Sequence, residues 1–169
     1  MKKMICLLLL TATLALVFGA CNLLAPRDPI DPAEFRGAVE AAGFEVWDAF
    51  DAAFCESDCE PGTLCENCES LYEGTYQALF AVGAAYRFEL YEFIDMRAAI
   101  SSYNRLKADI ESWRTGRTSS RASSFANHSR FEMTSGGIYS QVYRVDNVLI
   151  FVTADVEHRD EIREIMNQF

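Results

Sequence analysis

Cys55, Cys59, Cys65 and Cys68 form the only dense group of reactive side chains in this 169-residue sequence. Thiols at such spacing can pair as disulfides, hold a metal ion or act as a redox dithiol. Pro61-Gly62 lies midway between Cys59 and Cys65. A turn there brings those two together and leaves Cys55 opposite Cys68, although four cysteines allow three connectivities. A four-thiolate zinc site usually separates its cysteine pairs by a dozen or more residues, and the five between Cys59 and Cys65 are cramped for one ion. Iron–sulfur spacings do not fit either. A catalytic dithiol needs nearby positive charge to stabilise thiolate, yet Glu56, Asp58, Glu60, Glu66 and Glu69 surround these thiols. Structural disulfides are therefore the expectation. The rival is a metal site built from the four cysteines or the acids beside them.

Disulfides require an oxidising compartment, and the chain opens with a segment that would deliver it to one. Met1-Lys2-Lys3 precedes an apolar run over residues 4–20, broken mildly by Thr11 and Thr13, and Cys21 closes it. A charged start followed by such a run reads as an export signal over residues 1–20. Its 17 residues are marginal for a spanning helix, which needs roughly 20. Phe18-Gly19-Ala20-Cys21 resembles the bacterial lipobox, in which the cysteine is diacylated and becomes the new first residue. Phe18 departs from the usual leucine. Cleavage after Gly19 by ordinary signal peptidase, or an uncleaved anchor reaching Leu24, are the alternatives. Two acyl chains hold a protein stably at a membrane.

Other chemistry is sparse. His128 and His158 both read as exposed, and no phosphate loop, nucleophile elbow or His-Glu zinc motif is present. Glu89 and Glu92 could exchange protons, but solvated-face positions explain them more simply. The aromatics Tyr76, Phe80, Tyr86, Phe88, Tyr91, Phe93 and Tyr103 read as core. Neither an enzyme nor a cofactor is expected.

Both leader lysines precede Cys21 and every acid follows it, so the net charge of −10 becomes −12 beyond the leader. Residues 28–73 hold 13 acids against Arg36 alone, whereas residues 75–169 carry 12 acids and 11 bases. Residues 112–131 contain Arg114, Arg117, Arg121 and Arg130 with no acid. The overall acidity argues against nucleic acid as a partner.

The elements follow from patterning. Residues 21–30 read as a lipidated tether, and residues 31–169 as a single α+β domain with a Cys-rich insert at 55–68. Asp31-Pro32-Ala33-Glu34 has the composition of a helix start, and Gly43 suits its stop. Residues 44–50 read as a strand. Residues 76–82 and 86–93 form two strand-like runs around Gly83-Ala84-Ala85. Asp95 caps a helix striped by Met96, Ala99, Ile100, Tyr103, Leu106, Ile110 and Trp113. Residues 115–127 read as a mobile loop. A meander follows over 129–133, 138–145 and 148–152, turned at Asp146-Asn147, with its last strand apolar on both faces. Asp155 caps a closing helix that turns Val156, Ile162, Ile165, Met166 and Phe169 inward. The order strand, strand, helix recurs at an offset of 63 residues, over 76–106 and 139–169, as two possible ββα repeats. The fold class is an antiparallel sheet with helices packed on it.

The run from Tyr86 to Phe93 with Asp95, Ala98 and Tyr103, together with Phe131-Glu132-Met133-Thr134-Ser135-Gly136-Gly137 and Arg144-Val145-Asp146-Asn147-Val148-Leu149-Ile150-Phe151-Val152, resembles a group of uncharacterised small bacterial lipoproteins, mostly Gram-positive. The resemblance covers most of residues 31–169 and rests on core-forming motifs. It implies a lipid-anchored, extracytoplasmic α+β domain and brings no catalytic residues. The Cys-rich insert and an acidic-mixed final helix depart from it. The expected partners are the membrane, through Cys21, and an envelope protein or small ligand. A further expectation is that the arginine-rich segment meets phosphate head groups or an anionic envelope polymer.

Overall fold

The computed structural model describes residues 26–48 and 73–169. The leader, Cys21 and all four cysteines of the insert lie outside the described residues. Helix α1 (Pro32–Ala41) begins where Asp31 accepts a hydrogen bond from the Ala33 N–H at 2.8 Å, and Gly43 takes a left-handed φ of 90° after it. Strand β1 (Glu45–Asp48) follows, then β2 (Thr75–Val82) and β3 (Arg87–Phe93). In the β2–β3 turn Gly83 lies against Phe44, whose ring a Cβ would meet at 2.6 Å. Helix α2 (Met96–Ser112) is capped by Asp95, which accepts from the Ala98 N–H at 2.8 Å. Strands β4 (Thr118–Ser124), β5 (His128–Ser135), β6 (Ile138–Val145) and β7 (Val148–Asp155) come next. A 3-10 turn (Val156–His158) leads into helix α3 (Arg159–Met166).

The seven strands of the described residues form one antiparallel sheet in the order β1-β2-β3-β7-β6-β5-β4. The expected α+β architecture is present. Alternation along the strands separates two cores. Phe88, Leu90, Ile150 and Val152 face one side with Phe35 and Val39 of α1 and Ile162, Ile165 and Met166 of α3. Tyr91, Phe93, Leu149 and Phe151 face the other with Ala99, Tyr103, Leu106 and Ile110 of α2. Strand β7 is covered on both faces, as its continuous apolar run requires. The ββα order recurs in the chain, but α2 and α3 lie on opposite faces. Phe88 and Phe151, equivalent at the offset of 63, belong to opposite cores.

Several expectations need correction. Residues 118–124 are not a loop but β4, paired along its length with β5. It is an edge strand whose residues are nearly all exposed, so no apolar alternation marks it. Met96, Ile100 and Trp113 are exposed, which narrows the α2 stripe to four buried apolar positions. Tyr76 is likewise exposed. Asp155 makes no side-chain cap, and Val156 faces solvent because the 3-10 turn intervenes before α3. The body also begins earlier than residue 31. Ile30 is buried in the α1 core, and Asn127 grips Arg27 by donating to its carbonyl at 2.7 Å and accepting from its N–H at 3.1 Å.

Candidate functional site

Helices α1 and α3 cover the β2, β3, β7 and β6 part of their face, and their core takes no residue from β4 or β5. That end of the sheet is left to polar side chains. Across the strands one row reads Arg121, Glu132, Gln141, Val152, and the next reads Ser123, Arg130, Tyr143, Ile150. Each row passes from solvent to apolar core. Arg27 closes the far side and α3 brings in Arg163. The result is two adjoining hollows that share Arg121 and Glu132, of about 260 and 150 Å³.

Two of the four arginines are held firmly. A guanidinium can only donate, so Gln141 turns its amide oxygen to Arg130 Nε and Nη2, each at 2.9 Å, and its amide nitrogen donates to Tyr139. Arg130 also donates to Asn167 Oδ1 at 3.2 Å and lies 5.1 Å over the Tyr143 ring. Arg163 donates to Glu132 at 2.5 Å and sits over Tyr139. That carboxylate raises the proton affinity of Arg163. Arg130 lies 3.7 Å from the same carboxylate. The guanidiniums of Arg27 and Arg121, by contrast, make no ion pair or hydrogen bond among the described residues. Among the described residues Glu132 is the only carboxylate lining either hollow. Four positive charges thus converge on one negative charge in a chain that is otherwise acidic.

His128 completes the floor. It is buried, contrary to the exposed position expected, and its ring stacks on Phe125 at a centroid distance of 4.6 Å. Burial lowers its proton affinity, and the positive charges of Arg27 and Arg144 lower it further. Folding therefore favours the neutral ring. The unfolded chain binds the proton at higher pH, so stability is complete above about pH 6.5 and falls as pH drops through the depressed folded value. In urea melts between pH 7 and about pH 5.5, wild type is expected to lose stability and His128→Gln to show a flatter dependence. Identical slopes would remove His128 from this role.

Other chemistry-bearing residues are spent on structure. Glu89 is buried, not solvated: it pairs with Arg87 at 2.7 Å and accepts a short hydrogen bond from the Tyr91 hydroxyl. Glu92, its suggested partner, alternates onto the other side of β3. His158 is partly covered, between Glu157 and Glu161 and beside the Tyr86 ring. Arg114 pairs with Glu111 at 3.4 Å, outside the hollow. Buried Arg144 donates to the carbonyls of Asn127 and Asp146, fixing the β6–β7 turn where Asp146 has a φ of 49°. A larger hollow of about 370 Å³ beside α2 presents Glu73, Arg97 and Arg105, but Asp95 there is committed to capping. Among the described residues no group of three or more His, Cys, Asp or Glu could hold a metal ion, and no helix is long and apolar enough to cross a membrane. Cys21 and the four insert cysteines lie outside this description.

The sequence marks Arg121 and Arg130 as part of an acid-free stretch and reads His128 as exposed, but gives no sign that Arg27 and Arg163 join them. Their convergence depends on the β4–β5 pairing and on the return of α3. No known protein family, curated protein or solved structure matches this chain.

Proposed function

We propose that this protein is a lipid-anchored, extracytoplasmic, non-enzymatic binding domain that takes an anionic group into the arginine hollow over β4, β5 and β6. One observation carries the reading. Two guanidiniums without a partner among the described residues, Arg27 and Arg121, face a hollow whose single described carboxylate is already shared by Arg130 and Arg163. Arginine's planar fork suits carboxylate and phosphate oxygens, which a small ligand or an envelope component can supply. The apolar leader ending at Cys21 supports anchorage, and the resemblance to small bacterial lipoproteins points the same way. The rival metal-binding role depends on Cys55, Cys59, Cys65 and Cys68 or their neighbouring acids. Elemental analysis of protein purified without chelator discriminates between the two.

Charge-assisted hydrogen bonds contribute about 1.5–3 kcal/mol each, so two fresh contacts give a dissociation constant between about 6 mM and about 40 µM. Calorimetric titration of the mature chain with citrate and with inorganic phosphate is expected to show saturable binding at low salt that weakens as salt rises. Absence of saturation with either anion would overturn the binding role. Intact mass spectrometry tests anchorage. A diacylated Cys21 with the four insert cysteines oxidised is expected, and a full-length, unacylated, reduced chain would refute it.

A further inference from the structure

We infer that the hollow's anion is the phosphate of anionic phospholipid in the membrane that holds the anchor, so that the β4 end of the sheet lies down on the bilayer. This rests on the reading of the hollow as an anion site. Arg27 belongs at once to the anchoring segment and to the wall of the hollow, where Asn127 fixes its backbone on both sides. Only six peptide steps separate it from Cys21. Fully extended, they span about 21 Å, so an acylated Cys21 keeps the hollow within that distance of the head groups.

Charge distribution selects the same orientation. Exposed Glu45 sits on β1, at the opposite edge of the sheet from β4, and exposed Glu34 and Glu40 sit on α1, which packs against β1 and β2. Six strand spacings of about 4.8 Å put the two edges about 29 Å apart, more than three screening lengths at physiological salt. An anionic surface therefore attracts the β4 end while the acidic edge stays outside its field. Strand β4 itself offers Thr118, Ser119, Ser120, Ser123 and Ser124 to the interface, with Arg121 among them and no acid. Turned the other way, the acidic edge would meet the same lipid with repulsion.

The test uses the mature chain carrying Cys21→Ser, so that no acyl chain contributes. Sedimentation with phosphatidylcholine vesicles is compared with vesicles of three parts phosphatidylcholine to one part phosphatidylglycerol, and glycerol 3-phosphate is titrated as the soluble counterpart. Binding to the anionic vesicles alone is expected, falling with salt. Arg27→Glu/Arg121→Glu should weaken it at least about tenfold, at about 1 kcal/mol per surface cation, with unchanged far-ultraviolet circular dichroism. Vesicle binding that survives this double change would overturn the inference. So would glycerol 3-phosphate or citrate binding without vesicle binding, which would leave the hollow as a site for soluble anions. Failure of every anion, soluble and vesicular, would remove the hollow's binding role as well. If the double variant unfolds, Arg121→Gln alone replaces it, with a loss of about fivefold expected and no loss overturning the inference.

Discussion

Phe35→Ala is expected to destabilise the domain by about 3–5 kcal/mol, the range for deleting a fully buried aromatic ring. Phe35 has no exposed surface and meets Phe88 of β3 edge-on at a centroid distance of 6.5 Å. It also lies 5.8 Å from Phe169 at the chain end, so one ring joins α1, the sheet and the segment after α3. Helix α1 has ten residues, too few to persist alone, and Phe35 and Val39 are its only buried positions. The cavity left by alanine cannot be refilled from within the helix. Urea melts should show the midpoint falling with little change in slope. A loss below about 1 kcal/mol would mean that α1 lies outside the cooperative unit.

The sequence carries the pattern that buries this ring, since Phe35 stands at helical spacing from Val39 behind the Asp31-Pro32 start. Strand β7 was visible for a related reason: five consecutive apolar residues from Val148 to Val152 admit only a doubly covered strand. Strand β4 was hidden by the same physics. Sequence patterning reports burial, and a strand whose residues are nearly all exposed leaves no period to read. Burial of polar side chains was equally hidden. Glu89 alternates with apolar neighbours as a solvent-facing residue would, and only the Arg87 guanidinium and Tyr91 hydroxyl beside it make its burial tolerable.

The hollow shows how far local pattern reaches. The acid-free stretch over 112–131 announced positive charge, but charge along a chain does not say which residues share a face. Arg114 points to Glu111, whereas Arg121 stands opposite Glu132 because β4 pairs with β5 in that register. Arg27 and Arg163 reach the two adjoining hollows from opposite ends of the described chain. An echo of the site was present in residue types but not in their order.

Glu132→Gln separates binding from stability, because the two should move in opposite directions. The Glu132 side chain is mostly buried and holds Arg163 through a short hydrogen bond, with Arg130 at 3.7 Å. Glutamine keeps the shape and one acceptor but gives up the charge. Arg163 is partly solvated, which limits the cost, so a loss of about 1–2 kcal/mol in urea melts is expected. An anion in the hollow meets the reverse effect. A carboxylate about 7 Å away at an effective dielectric near 20 repels it by about 2 kcal/mol before screening. Removing that charge should tighten citrate or phosphate binding by about five- to thirtyfold at low salt. A carboxylate that only braced the arginines would, when lost, loosen the site and weaken affinity along with stability. Tighter binding on a weaker fold is the signature of an anion site in which Glu132 tempers the positive charge around it.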